Sequence, residues 1–377
     1  MHYLDNAATT RVLPEAAEAA VHAMCEEFGN PSSLHRMGLE ASHLLEDSRR
    51  TVASALGCLP EEVYFTACGT ESTNISLRGA AHLNRHKKGR IITTEIEHAA
   101  TVNTAKQLAD AGFDVVFLAP DATGHITPEV LSEALTEDTI LLSCQLVNNE
   151  IGTVQPVEQL GKLLKAKAPK ALFHIDAVQG LCRVRLTPKK WNCDLMSVSG
   201  HKIGAPKGIG ALYVKKGVHI PPFMLGGGQE KGFRSGTESV PLICGFGAAV
   251  KKLAPNVSAN FEKAADIQAY LIEKCNENGD VFVNSRKGGS PYVTSIAVDG
   301  LKSEVLLHYL EKREIYVSSG SACSKGKKSS VLKEFRYPEQ SLDSTIRISF
   351  SIDTTKADID ALMEGIKSAQ NDLCKVR

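Results

Sequence analysis

Residues 194–202 read D-L-M-S-V-S-G-H-K. Leu195, Met196 and Val198 make a short apolar run that ends abruptly in small and polar residues. Such a run predicts a buried strand, with Ser199, Gly200, His201 and Lys202 where the strand leaves its sheet. A lysine held there loses solvation, so its neutral amine can attack a carbonyl. Taken alone, the stretch is better read as a loop with a surface lysine, which is where most lysines are. The rest of the chain has to decide between the two.

The flanking sequence repeats the same change of rhythm. Short β-branched or aromatic runs at residues 63–67, 90–94, 114–118, 140–147, 171–176, 194–199 and 210–214 alternate with helical patterns such as 71–84, 99–111, 127–135 and 157–168. This alternation predicts an α/β fold, a mostly parallel sheet covered by helices. Ligands bind at the carboxyl ends of the strands in such sheets, so the residues after each strand carry the information. After 63–67, Gly69, Thr70 and Ser72 open a helix whose free N–H groups suit a phosphate, although a plain N-cap explains them as well. After 90–94 comes His98 at a strand-to-helix turn, where capping is the commoner role. Asn148 and Asn149 follow the apolar strand at 140–147 and either bind a ligand or form a turn. Asp176 ends an apolar run in a desolvated position, where a carboxylate needs a positive partner or several donors. Strand ends thus carry Thr, His, Asn, Asp and Lys, a shared location that purely structural roles do not predict.

Further out, residues 3–10 are short, polar and small, and Pro14 opens a helix in its first turn. A second helix is expected over 38–56, where apolar residues recur at helical spacing. Residues 226–238 form a glycine-rich loop with Arg234 and Thr237, a candidate ligand or interface loop. A helix at 242–253 leads to Ala254-Pro255-Asn256, a domain boundary. Beyond it come helices at 259–277, 303–313 and 356–373 and strands at 281–284, 293–298, 315–318 and 346–350, the rhythm of a small α+β domain. The expected division is a large domain over 12–255 and a small one from 1–11 and 256–377.

The bulk numbers agree with two soluble domains. The chain has 377 residues, too many for one compact core. Lys plus Arg and Asp plus Glu number 43 each, a zero net charge that argues against a general nucleic-acid or membrane-surface binder. No apolar run approaches the ~20 residues of a membrane span. The N-terminus has no basic segment followed by an apolar one, so a cytoplasmic location is expected. None of the ten cysteines forms a C-x-x-C pair, which weakens a zinc or thioredoxin-like reading and leaves reduced thiols. Most should be small buried hydrophobes. Cys323 differs, because residues 318–330 read S-S-G-S-A-C-S-K-G-K-K-S-S. That composition predicts a mobile loop, and Lys325, Lys327 and Lys328 favour the thiolate. An exposed thiol carries an oxidation risk, so its presence suggests use.

With these residues assembled, the sequence resembles the cysteine desulfurases, in the class V branch of the fold type I pyridoxal-phosphate enzymes. The resemblance runs from Y-L-D-N-A-A-T-T at 3–10 to I-R-I-S-F at 346–350. Its most specific pieces are Glu97-His98, V-N-N-E-I-G at 147–152, H-I-D-A-V-Q at 174–179, S-G-H-K at 199–202, R-S-G-T-E at 234–238 and S-S-G-S-A-C at 318–323. It implies the fold type I transferase architecture and the cofactor pyridoxal 5'-phosphate. Lys202 would hold the cofactor as a Schiff base and move protons. Asp176 would keep the pyridine nitrogen protonated. His98 would stack on the ring and act as acid and base toward the substrate thiol, and Gln179 would hydrogen-bond the ring hydroxyl. Thr70, Ser199 and His201 would hold the phosphate with backbone amides around Gly69. Thr237 would reach the phosphate of a neighbouring subunit, making the protein a homodimer. Asn149 and Arg347 would hold the carboxylate of L-cysteine. Cys323 would take the sulfur as a persulfide, release alanine and pass the sulfur to an acceptor protein, an iron–sulfur scaffold or a tRNA-thiolation enzyme. No metal, nucleic acid or membrane partner is implied.

Two departures stand out. The basic run after Cys323 replaces the serine, threonine and alanine usual there, and the chain stops at Arg377 without the longer tail some relatives use to bind a scaffold. The competing readings are a selenocysteine lyase or an aminotransferase of the same class, and a non-catalytic sulfur-relay or scaffold protein. An aminotransferase needs no thiol like Cys323. A non-catalytic descendant should have lost at least one of Lys202, Asp176, His98 and Cys323.

Overall fold

The computed structural model describes residues 1–319 and 342–373, so Cys323 and the loop motif around it lie outside the described residues. The chain opens with a two-residue strand, β1 (His2–Tyr3), and then builds a seven-stranded sheet. Its strands are β2 (Val63–Thr66), β3 (Arg90–Thr94), β4 (Asp114–Leu118), β5 (Thr139–Gln145), β6 (Leu172–Asp176), β7 (Leu195–Ser199) and β8 (Gly210–Val214). They lie in the order β2-β8-β7-β6-β5-β3-β4. Strand β8 runs antiparallel to β2 and β7, and every other pair is parallel.

The apolar runs exist because the middle of this sheet is covered on both faces. Every residue of β5, β7 and β8 is buried, which suits continuous apolar runs better than alternating ones. The covering helices include α1 (Pro14–Cys25), α2 (Arg36–Leu56), α3 (Gly69–Leu83), α4 (Ala99–Asp110), α5 (Pro128–Ala134), α6 (Val157–Lys167) and α7 (Val240–Leu253). Helix α2 stops at Gly57, whose φ of +70° gives a left-handed cap. Helix α7 packs closely on α1 and α2 through glycines. A Cβ at Gly245 would lie 2.9 Å from the Ala16 carbonyl oxygen, and one at Gly247 would lie 2.8 Å from Ser48 Oγ.

A second core, with Leu271, Ile296, Ile348 and Phe350, lies under a three-stranded antiparallel sheet. That sheet contains β9 (Val281–Val283), β10 (Val293–Val298) and β12 (Thr345–Ser349), with β10 in the centre. Helices α8 (Val257–Asn278), α9 (Ser303–Glu311) and Lys356–Asp372 contribute to this core. Strand β11 (Ile315–Tyr316) pairs in parallel with β1, and Leu4 joins the second core. The expected elements recur within a few residues of their forecast ends. The strand forecast at 140–147 ends at Gln145, and β1 falls in a stretch read only as short and polar.

One buried ion pair fixes the glycine-rich loop. Arg49 Nη1 and Nη2 each donate to the Glu230 carboxylate at 2.8 Å, and Glu230 also accepts from the Phe65 N–H at 2.9 Å. Glu230 and Lys231 take φ of +48° and +59°, costly for residues other than glycine. Glu230→Ala should cost about 3 kcal/mol in denaturant unfolding, because it leaves the buried Arg49 cation with only the half-exposed Glu46 carboxylate, 3.0 Å from Nε, as a counter-ion.

Candidate active site

A cavity of about 280 Å³ opens at the carboxyl ends of β3, β5, β6 and β7, beside the start of α3. Ten residues forecast for the site line it: Gly69, Thr70, His98, Asn149, Asp176, Gln179, Ser199, His201, Lys202 and Arg347. Thr237 does not; it is exposed on the loop before α7. Cys323 lies outside the described residues.

Lys202 closes a single helical turn, Gly200–Lys202, directly after β7. Its Nζ donates to the carbonyls of Ala7 and Ala8, each at 2.8 Å. The N-terminal segment is pinned over this turn. Thr10 Oγ1 donates to the His201 carbonyl at 2.9 Å and accepts from the Gly204 N–H at 2.7 Å. Asp176 ends β6 at 7% exposure and accepts from the Val178 N–H at 3.0 Å. Burial pushes its carboxyl above the ordinary range, opposed by His98 and Lys202. His98 is the N-cap of α4, its Nδ1 accepting from the Ala100 N–H at 3.1 Å. The neutral ring therefore carries its proton on Nε2. Burial pulls this imidazole below its usual pKa, so capping and a place in the site turn out to be compatible.

The start of α3 is shaped for an anion. A Cβ at Gly69 would lie 2.6 Å from Val178 Cγ2, so only glycine leaves the backbone open there. The first N–H groups of a helix have no partner within it. Ser199 Oγ is buried with no hydrogen-bond partner among the described residues, a donor waiting for an acceptor. His201 is pulled down to about 4, chiefly by burial and further by Lys202 and Lys207, so the neutral imidazole is its form at neutral pH. Together with the buried carboxyl of Asp176, these groups fit a ligand with a phosphate at one end and a protonated ring nitrogen at the other. Pyridoxal phosphate has both.

The two asparagines divide the roles foreseen for them. Asn148 builds the turn, its Oδ1 accepting from the Glu150 and Ile151 N–H groups at 2.9 and 3.0 Å, while Asn149 lines the cavity. Arg347 reaches the same place from β12. Its Nη1 donates to the Asn149 carbonyl at 3.0 Å and its Nη2 to Asp5 Oδ1 at 2.7 Å, leaving Nε without a partner among the described residues. Sequence reasoning gave no individual role to Asp5, Gln145 or Glu97. Glu97 Oε1 accepts from the Thr94 hydroxyl and the Gln145 N–H, tying β3 to β5, and burial raises its carboxyl to about 8. Among the described residues no cluster of His, Cys, Asp and Glu is placed to hold a metal, and no helix is long and apolar enough to cross a membrane.

Comparison with known proteins bears directly on this geometry. The family model described as Aminotransferase class-V matches residues 2–362. A protein named Cysteine desulfurase from Trichormus azollae is 40% identical over 371 residues, covering 96% of this chain and 91% of that protein. Cysteine desulfurase IscS from Methanosarcina thermophila is 40% identical over 370 residues, 96% of this chain and 90% of the relative. A solved structure of a NifS-like protein is similar with a TM-score of 0.93 and 35% identity, covering 98% of this chain and 99% of that one.

Proposed function

The chain belongs to the aminotransferase class-V family and, within it, to the cysteine desulfurases; from that premise we propose how its residues divide the work of taking sulfur from L-cysteine. The observation that carries the assignment is the meeting of Lys202, Asp176 and His98 around one cavity, with Arg347 entering from β12. The cofactor is pyridoxal 5'-phosphate, which supplies an aldehyde for amine capture and a ring that spreads negative charge from the substrate Cα. Gly69, Thr70, Ser199 and His201 would hold its phosphate. Asp176 would hold a proton on its ring nitrogen, and Gln179 would face its ring oxygen.

Lys202 Nζ would anchor the cofactor covalently, and the same amine would take the substrate α-proton and return one later. Arg347 and Asn149 orient the substrate carboxylate, with Arg347 giving up part of its bond to Asp5 to do so. His98 Nε2 exchanges a proton with the substrate thiol. The Cys323 thiolate attacks the substrate sulfur. One S–S bond forms, the Cβ–S bond breaks, and the carbon skeleton leaves as alanine. The sum balances as enzyme thiol plus cysteine giving enzyme persulfide plus alanine.

The purified protein with L-cysteine and a reductant should release sulfide and alanine in equal amounts. Cys323→Ala should keep the cofactor absorbance and lose sulfide release by at least ~100-fold. Ordinary turnover by that variant would mean that another group is the nucleophile.

The same reading extends to assembly and location. Thr237 is exposed and off the cavity, on a loop whose Arg234 and Ser235 pair with Met224, and Phe223, Met224 and Leu225 are exposed apolar side chains. We infer a homodimer in which Thr237 completes the partner's phosphate site, checked by sedimentation. The sulfur acceptor is an iron–sulfur scaffold or a tRNA-thiolation enzyme. All eight described cysteines are free thiols, which suits a reducing cytoplasm.

A further inference from the structure

Arg183 lies behind the cavity, in the turn that follows Gln179. It is 5% exposed and has no carboxylate within ion-pair distance among the described residues. Its cation is held by neutral groups instead. Nη1 donates to Gln179 Oε1 at 2.5 Å, and Nη2 donates to the Lys202 carbonyl at 2.9 Å and the Asn6 carbonyl at 3.5 Å. The guanidinium also lies 5.3 Å from the centre of the Tyr292 ring. A buried cation without a counter-ion is costly. The backbone adds strain just before it, where Cys182 takes a φ of +55°. Two local costs at one place suggest that the arginine does something the fold alone does not need.

Its effect follows from what a guanidinium can do. Arginine only donates hydrogen bonds, so the oxygen end of the Gln179 amide must face it. The nitrogen end must then face away, and it does: Gln179 Nε2 donates to the Ala7 carbonyl at 3.0 Å. That carbonyl also accepts from Lys202 Nζ at 2.8 Å, which puts the amide beside the lysine. An amide normally can turn over and offer either end. Here it can offer only N–H.

We propose that Arg183 is a positioning residue that locks Gln179 as a hydrogen-bond donor, so that the site selects the ionised form of the cofactor's ring oxygen. The inference rests on the reading that Gln179 faces that oxygen. A donor stabilises the charged oxygen and lowers the pH at which it loses its proton. Without Arg183 the amide can present its carbonyl, which favours the protonated oxygen, so the midpoint moves up.

The test titrates the absorbance of the bound cofactor against pH in the holoprotein, with no substrate present. Among the described residues, the other titratable or charged groups facing the site are Cys68 before α3, Asp176 from β6, His98 from α4, His201 and Lys202 after β7, and Arg347 from β12, with Cys182 and Tyr292 beside the guanidinium. All are kept in every variant. R183M should raise the midpoint by about one pH unit, the size of one charge-assisted hydrogen bond. R183K, still purely a donor, should recover part of the shift. In a Q179L background R183M should add nothing. Q179E keeps Arg183 matched yet offers the ring only oxygen, and it should raise the midpoint even if R183M does not fold. An unchanged midpoint in R183M, or an equal shift with and without Gln179, overturns the proposal. A Q179L protein that titrates like the wild type overturns instead the placement of Gln179 at the ring oxygen.

Discussion

Lys202→Ala should give a folded protein that no longer holds pyridoxal phosphate covalently. The wild-type amine stands at the end of β7 between two carbonyls at 2.8 Å, with Asp176 and His98 on the same cavity wall. The carbonyls of Ala7 and Ala8 aim it into the cavity. Truncation removes both the covalent anchor and the base that moves the α-proton, so cysteine turnover should fall by at least ~10⁴-fold. Folding should survive, because the turn is held by Thr10 and by the Lys202 carbonyl's bond to Arg183 rather than by the amine. Mass spectrometry after borohydride reduction checks the claim directly: wild type should retain the cofactor adduct, and the variant should lose it. An adduct at full occupancy in the variant would place the anchoring amine elsewhere and sink the mechanism.

Asp176→Ala should be nearly as damaging by a different route. The carboxylate is buried, and burial raises its pKa while His98 and Lys202 oppose the rise. A protonated ring nitrogen, as proposed above, would add a cation that favours the charged form further. On the role proposed for Asp176, alanine would leave the ring nitrogen without its proton holder and weaken the spread of charge from Cα. Turnover should fall by roughly 10³-fold while Lys202 still forms its covalent link. Asp176→Asn keeps the shape and loses the charge, so it should behave like alanine. If the asparagine variant keeps near-normal turnover, the negative charge is not what the site uses.

Much of this was legible from residue order. The strand ends holding Thr70, His98, Asn149, Asp176 and Lys202 were visible because each apolar run stops sharply at a polar residue. Within a sheet whose β5, β7 and β8 are wholly buried, such a stop marks the rim where ligands bind. Arg347 was legible only through the family resemblance, since a lone arginine inside an apolar strand has no local signature. Asp5, Gln145 and Arg183 carried no such signal. Their roles depend on partners far along the chain, Asp5 on Arg347 and Arg183 on Lys202 and Asn6. Strand β1 was invisible for a related reason: two residues are too few to show a period, and its partner is β11. Gln179 shows how geometry narrows a residue that sequence could only place, because the arginine decides which end of its amide reaches the cavity.

The pairing of β1 with β11 also sets a timetable for synthesis. His2 is made long before its strand partner Ile315, and the Ser349 N–H that bonds to the Leu4 carbonyl comes later still. At about 5–20 residues per second, the N-terminal arm waits many seconds for its berth. During that wait the large sheet can form, but the carbonyls of Ala7 and Ala8 are not yet anchored over Lys202. Nascent chains released before residue 349 should therefore collapse into a sheet that captures the cofactor poorly, and the arm's arrival is the last stitch that makes the newborn enzyme competent.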